Sequence, residues 1–512
     1  MSAEDVTTRA ATKSVDDGGP TVLPCLTIAA HRDLRRVGDR AVLHLRARGR
    51  GVRLSRNEPD FACPGVVLGA PLEDAHVSRS PVLLHGDGAG VVVIDRAGSR
   101  MKLQVAGQEL GERAELAADL LADGVDLVLG DSVALILHEI VADDRPAPPS
   151  YGLVGLSGPL TEVRRAIERV ADLEVPVLLR GESGTGKELV ARAVHDAGGR
   201  RGGPFVAVNL SAVTPSLAAA ELFGTVKGAY TGAVSRMGFF GAADGGTLFL
   251  DEVGECPADV QTMLLRALDM AEFFPVGSHT AKRADVRLVA ATDSDLEAKS
   301  RTGAFKEPLL HRLSAYEVWL PPLRERREDI GRLLVHFALG PWRQARGDGR
   351  RGEGPPADWI PADLVARLCR YHWPGNVRQL RNLVWQLVID SRDRPRLTTN
   401  PRVERLLEEP PARDEPTGDR RPAELDDTEV ESALADCGWD VAAAARHLGI
   451  SRPSLYERIN KSPSLRTAQD LDKEEIEAAL ESSGGDVDRT AEALKVSARG
   501  LRRRMSQLGV TG

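Results

Sequence analysis

The chain lacks any run of eighteen or more apolar residues, so no membrane-spanning helix is expected. Its first residues, MSAEDVTTRAATKSVDDGGP, have neither the basic start nor the apolar stretch of a secretory signal, and a cytoplasmic location is expected. Cysteine is sparse. Cys25, Cys63, Cys256, Cys369 and Cys437 are scattered without CxxC spacing, which speaks against a disulfide framework and a zinc site and leaves buried or incidental thiols. Positive charge is not in excess either: at a net charge of −8, any nucleic-acid contact must come from a local basic surface. What the chain has is length. Its 512 residues exceed one ordinary core, because single cores rarely grow beyond ~250–300 residues, so three or more units are expected.

Two stretches read as linkers, DDRPAPPS (143–150) and EEPPARDEPTGDRRPAE (408–424), both rich in proline and charge. Before the first, short β-branched runs such as AVLHLRA, GVVVID, MKLQVAG and VALILHEI alternate with Gly, Pro and Asp, the pattern of an all-β sandwich. Between the linkers, buried-strand runs (VPVLLRG, FVAVNL, TLFLDE, VRLVAAT, EVWLP) alternate with helical stretches, which predicts a parallel sheet covered on both faces. After the second linker the pattern is helical and repeated.

In VPVLLRGESGTGKE, Gly181-x-x-x-x-Gly186-Lys187 follows an apolar strand and precedes the helical ELVARAVHDA. Backbone N–H groups of Glu182, Ser183, Gly184, Thr185 and Gly186, with the helix N-terminus, suit phosphate oxygens, and Lys187 neutralises the β and γ oxygens. Glu188 stands where a hydroxyl usually helps to hold magnesium. Downstream, GGTLFLDEVGECP ends a strand in an acidic pair: Asp251 is expected to serve a magnesium shell and Glu252 to polarise the attacking water. ATP and Mg2+ are the expected ligands, and hydrolysis is the expected reaction.

The ordered set GESGTGKE, ELFG…KGAYTGA, GGTLFLDEVG, VRLVAAT, LPPLRERREDI and WPGNVRQLRN resembles the AAA+ domain of bacterial enhancer-binding proteins that activate sigma-54 RNA polymerase, from about Tyr151 to Arg392. The resemblance implies an α/β ATPase (151–320) with a helical lid (321–405) acting as a ring oligomer. It makes Gly228, Ala229, Tyr230, Thr231, Gly232 and Ala233 the loop that touches sigma-54, Asn209 a switch residue sensing Glu252, and Arg378 a sensor arginine. Arg312 and Lys306 are implied to complete the neighbouring subunit's site, with lysine in place of a second arginine. Asp293 replaces an asparagine expected near the γ-phosphate, exchanging a donor for an acceptor. Gln379 replaces a glutamate, and Thr225-Val226 replaces His-Glu at the base of the loop. The block RQARGDGRRGEGPPAD (343–358) reads as an exposed insertion in the lid.

Beyond the second linker, TEVESALADCGWDVAAAARHLGISRPSLYERI aligns without gaps with EEIEAALESSGGDVDRTAEALKVSARGLRRRM, predicting two helix-turn-helix copies at 425–465 and 470–512. The first resembles the Fis-type DNA-binding domain. Arg452, Ser454, Tyr456 and Arg458 are its candidate DNA contacts, with Leu455 and Ile459 facing the core; Arg499, Arg502 and Arg503 are those of the second copy, alongside Arg504. The second copy either lengthens the DNA site or serves dimerisation or nonspecific binding.

The N-terminal segment (20–142) resembles a forkhead-associated (FHA) domain, a phosphothreonine-binding sandwich. Arg56, Ser78 and Arg79 carry the chemistry a phosphate needs; the alternative is a sandwich that only restrains the motor. No receiver-type cluster of aspartates and lysine is apparent. The expected whole is multidomain: β-sandwich, α/β P-loop ATPase with α-helical lid, and all-α tandem helix-turn-helix. Its expected partners are sigma-54 RNA polymerase, enhancer DNA, a phosphothreonine protein and further copies of itself. A DNA-bound regulator with weak or no ATPase, acting as repressor or scaffold, stands as the alternative.

Overall fold

The computed structural model describes residues 22–45, 51–66, 68–86, 91–142, 145–229, 234–346, 355–408, 426–437, 471–483 and 487–497, with single positions between and after the last segments. The N-terminal region is built of two sheets. One runs in the order β2 (Arg40–Val42), β1 (Val22–Ala30), β10 (Val133–Val141), β9 (Val125–Leu129), β6 (Leu103–Val105), β7 (Gln108–Glu109). The other runs β3 (Val52–Leu54), β4 (Val82–Gly86), β5 (Val92–Asp95), β8 (Arg113–Leu116). The longest pairing is antiparallel, β1 with β10, in a register that sets Leu26 against Leu137 and Thr27 against Ile136. A sandwich strand with one wet face should alternate between buried and exposed. Here Cys25–Ala30 and Val133–His138 are buried throughout, because helices α9 (Ile330–Arg346) and α10 (Ala362–Arg370) of the following region pack on the same sheet.

That junction encloses polar groups. His138 is 3% exposed, with Nε2 2.7 Å from the Thr27 hydroxyl and Nδ1 3.2 Å from the Glu139 carbonyl. A carbonyl can only accept, so Nδ1 carries the proton and Nε2 accepts from Thr27. Burial pushes the imidazole down to about 3, and the charge of Arg40 adds to this. Glu328, 3.9 Å away, is pushed up to about 7 by burial and by Asp329, against the pull of Arg40 and Arg326. The two therefore face each other at neutral pH without forming an ion pair. From about pH 4.5 to 7 the folded state retains a Glu328 proton that the unfolded chain releases, so this group's contribution to stability declines as pH rises. His138 acts oppositely, since the unfolded chain gains its proton as pH falls from 6.5 toward 3. Glu328→Gln is expected to show a melting-temperature advantage over wild type that grows from pH 5 to pH 7.5; thermal melts at the two values check it, and a shrinking advantage would contradict the assignment.

The central region is a five-stranded parallel sheet in the order β12 (Phe205–Asn209), β13 (Thr247–Asp251), β16 (Arg287–Thr292), β11 (Val177–Arg180), β17 (Tyr316–Trp319). Successive side chains of a strand point to opposite faces. Leu178, Leu248, Leu250, Leu288 and Ala290 thus meet α4 (Pro215–Phe223), α6 (Ala258–Met270) and α8 (Glu307–Leu313) on one side. Val177, Leu179, Phe249, Val289 and Ala291 meet α2 (Gly158–Val170) and α3 (Lys187–Ala197) on the other. Helix α2 starts where the sequence provides a cap: the Ser157 hydroxyl accepts from the Leu160 N–H and Pro159 occupies the first turn. The helical region that follows contains α9, α10 and α11 (Asn376–Asp390). Within the 343–358 block, residues 347–354 lie outside the described residues.

Residues 399–512 fall in a second compact unit. Its two repeated segments hold separate cores: Val430, Leu434, Ala444, Leu455 and Ile459 in one, and Ile476, Leu480, Ala491, Leu494, Leu501 and Met505 in the other. Leu455 and Ile459 face the core as the helical spacing requires, and Leu501 and Met505 repeat them in the second copy. Among the described residues no helix is long and apolar enough to cross a membrane. All five cysteines are free; burial pushes the Cys25 thiol up to about 11 and the Cys256 thiol up to about 12.

Candidate active site

The C-terminal ends of β11 and β13 carry the site. After Arg180 the chain turns through Gly181, Gly184 and Gly186 with φ of +150°, +81° and +110°, conformations that favour glycine, and enters α3 at Lys187. Lys187 is 7% exposed; its ammonium donates to the Gly181 carbonyl at 2.8 Å and lies 3.8 Å from Glu252. Thr185 donates its hydroxyl to the Glu182 carbonyl at 2.8 Å, which tightens the loop. The positive φ glycines, the buried ammonium and the free end of α3 together fit a chain of phosphates.

Asp251 ends β13 and Glu252 follows it. Burial raises both carboxyls above the usual range, Lys187 pulls each back, and Asp293 and Asp251 push Glu252 further up. Asp293 shares a hydrogen bond with Glu252, so the position expected to carry an amide donor holds a second acid against the proposed base. Glu188 is exposed on the first turn of α3, and its charge bears on Asp251. Asn209 lies beside Asp251. Its Nδ2 donates to Asp251 at 3.4 Å while its Oδ1 accepts from the N–H and hydroxyl of Ser211. The reason is register: in the parallel β12–β13 pair Asn209 stands opposite Asp251, and Glu252 has already left the strand with φ +55°.

The helical region closes on the phosphate loop through Arg378 and Gln379 and through two groups that no motif reading singled out, Arg324 and Asn376. Arg324 donates to both carboxylate oxygens of Glu182, at 2.9 and 2.6 Å, a bidentate pair. Asn376, fully buried, donates to Glu182 at 2.9 Å and to the Ser183 carbonyl at 3.1 Å, and accepts from the Leu323 N–H at 2.8 Å. The Glu182 side chain is thus occupied, and only its backbone remains for a phosphate. Arg378 donates to the Ser183 hydroxyl at 3.0 Å, and its own N–H reaches the Gly184 carbonyl. A Cβ at Gly184 would meet the Gly375 carbonyl oxygen at 2.5 Å, so loop and helix touch backbone to backbone. Gln379 accepts from the Gly375 N–H at 2.9 Å, closing the turn that makes this contact.

Arg312 and Lys306 lie apart from this cluster, at α8. Arg312 bonds to the Leu268 carbonyl and approaches Asp269, while Lys306 is exposed at the N-cap of α8. Of the loop expected to touch sigma-54, Gly228 and Ala229 are described and Tyr230, Thr231, Gly232 and Ala233 lie outside the described residues. Its base is tied by Thr225, which pairs with Arg236 through the backbone and donates its hydroxyl to the Val234 carbonyl at 2.7 Å.

In the N-terminal region Arg56 reaches across its own loop. Its guanidinium donates to the carbonyls of Val77, at 3.0 Å, and Ala75, and Ser78 accepts from the Ser80 N–H at 3.0 Å. Arg79 is exposed. In the second unit Arg502 is exposed and Arg504 donates to the Leu471 carbonyl at 2.9 Å. Arg452, Ser454, Tyr456, Arg458, Arg499 and Arg503 lie outside the described residues.

Comparison with known proteins agrees with this layout. The sigma-54 interaction domain family matches residues 153–319, the AAA+ ATPase lid domain family matches 324–415, and the bacterial regulatory protein, Fis family, matches twice, at 422–461 and 467–508. The DNA-binding transcriptional regulator NtrC of Azospirillum brasilense is 47% identical over 247 residues, 48% of this chain and 50% of that protein. The regulatory protein LuxO of Vibrio cholerae is 40% identical over 327 residues, 60% of each. The chain spans about half the length of the curated relatives it matches. Among solved structures, NtrX from Brucella abortus in complex with ATP is 34% identical, covering 70% of each chain, with a TM-score of 0.44. Residues 153–508 thus carry, in order, a sigma-54 interaction domain, an AAA+ lid and two Fis-family helix-turn-helix segments, and the chain is a homologue of NtrC and LuxO.

Proposed function

We propose that the protein is a sigma-54-dependent transcriptional activator that binds enhancer DNA and uses ATP hydrolysis to remodel the closed complex of sigma-54 RNA polymerase. The observation that carries this reading is the convergence of Lys187, Asp251 and Glu252 on the glycine loop, inside a segment matching the sigma-54 interaction domain. In it Lys187 neutralises negative charge on the β and γ oxygens and Glu252 accepts a proton from the attacking water, as phosphoryl transfer requires. Asp251, with Glu188 beside it, supplies carboxylate oxygens suited to a magnesium ion, which neutralises phosphate charge when bound. Arg378, already on the phosphate loop, is placed to report nucleotide to the lid. Lys306 and Arg312, on exposed surface away from their own loop, suit a neighbouring subunit's site and so a ring.

The two helix-turn-helix segments are the DNA-binding output. The N-terminal sandwich is an FHA-like input in the cytoplasm, its phosphate contact resting on Arg79 and Ser78, while Arg56 braces the loop. Asp293 beside Glu252 favours slow hydrolysis, since its charge and hydrogen bond help Glu252 to keep the proton that a base must lack; a weakly hydrolysing repressor or scaffold is the reading that observation supports.

Open-complex formation on a sigma-54 promoter tests the proposal. Wild type with ATP is expected to promote opening, and Thr231→Ala is expected to lose it while hydrolysing ATP at the wild-type rate. No opening by wild type rejects the activator reading; opening by the variant rejects the role of the loop.

A further inference from the structure

The short segment 323–329, between β17 and α9, touches two regions at once. It is two successive 3-10 turns, Leu323–Glu325 and Arg327–Asp329. Toward the phosphate loop, Arg324 holds Glu182 by its bidentate pair, and Arg326, 3% exposed, donates to the Thr185 carbonyl at 3.3 Å. Toward the N-terminal sandwich, Arg327 donates to the Gly124 carbonyl at 3.3 Å, and Glu328 faces His138 and Arg40. Arg40 in turn donates to the Leu156 carbonyl at 2.7 Å, and Asp329 accepts from the N–H groups of Leu156 and Ser157, so the segment leading into α2 is fixed at the same point.

The contact has little slack. A Cβ at Gly331 would meet the Ala29 carbonyl oxygen at 2.1 Å, so the first turn of α9 rests on the backbone of β1. Arg370 lies 3.5 Å from the buried carboxylate of Asp126 on β9. Close-packed elements transmit displacement rather than absorb it. A shift of the sandwich against residues 327–331 therefore moves Arg324 and Arg326, which lie just before that segment and hold the loop in shape.

We propose that residues 323–329 are a coupling strut through which the N-terminal sandwich sets the conformation of the phosphate loop, so that the state of the sandwich alters nucleotide affinity. The proposal rests on reading 181–187 as the nucleotide loop. It requires that a change at the sandwich end be felt at the loop through Arg324, and linkage requires the reverse as well.

The test is a double-mutant cycle on the full-length chain, reading the dissociation constant for ADP by calorimetric titration. Arg40→Ala and Glu328→Gln, neither of which touches the loop, are measured alone and combined with Arg324→Ala. Arg53→Ala, which removes an exposed pair with Glu58 on the other sheet, is the control. Each sandwich-end variant is expected to shift the constant at least about threefold, the control is expected to leave it unchanged, and the combined shift is expected to fall short of the product of the single shifts. Independent, multiplicative effects overturn the strut while leaving nucleotide binding intact. A wild type that binds no ADP overturns the nucleotide reading, and the strut with it. Should Arg40→Ala fail to fold, the near-isosteric Glu328→Gln decides alone.

Discussion

Full-length protein carrying Glu252→Gln is expected to hydrolyse ATP about 10²–10⁴-fold more slowly than wild type while still binding nucleotide. The substitution keeps the shape of the side chain at the end of β13 and removes its ability to take a proton. Lys187, 3.8 Å away, keeps its hydrogen bond to the Gly181 carbonyl, so the phosphate cradle should survive. A steady-state phosphate-release assay beside an ADP titration separates the two effects; unchanged turnover would remove Glu252 from the chemistry. The wild-type pH profile carries the same information. Burial holds the Glu252 carboxyl above the usual range, with Asp293 and Asp251 adding to it and Lys187 opposing. Because the base must be ionised, turnover should fall on acidification at a pH above the ordinary glutamate value.

The largest loss of stability is expected from Asp329→Ala, about 3–5 kcal/mol, seen as a melting temperature lower by on the order of 10 °C. Asp329 is 1% exposed and accepts from the N–H groups of Leu156, at 2.5 Å, and Ser157, at 3.0 Å. Its charge also bears on Arg164 and Arg326, both buried. Truncation leaves two backbone donors without an acceptor and two enclosed guanidinium groups without a counter-charge. Asp329→Asn retains an acceptor oxygen and should cost less, and equal melting temperatures for the two variants would show that the negative charge, not the acceptor, is what matters.

Where adjacent residues decide the structure, the sequence was informative. The parallel sheet follows from continuous apolar runs such as VRLVAAT, whose alternate side chains feed opposite faces. The phosphate loop follows from glycines and a lysine at fixed spacing, because a tight loop of this kind depends on local backbone freedom. Long-range pairings were not legible. Glu182 meets Arg324 and Asn376 across separations of 142 and 194 residues, and nothing local marks an arginine in LPPLRERREDI as its partner. That Asn209 stands beside Asp251 is decided only by the strand register. VALILHEI carried a missed clue: an unbroken apolar run in a sandwich strand means both faces are covered, and the second cover is α9 and α10. Arg56 is a further case, because residue type reveals that donors exist but not that two of them reach carbonyls of the same loop.

The two helix-turn-helix cores correspond position by position, with Val430, Leu434, Leu455 and Ile459 answered by Ile476, Leu480, Leu501 and Met505. Such correspondence is the mark of one interior pattern used twice. Each copy closes its own core, so a change that spoils one need not unfold the other. The same interior thus carries two different surfaces: where the first copy reads PSLYERI, the second reads the arginine-rich RGLRRRM.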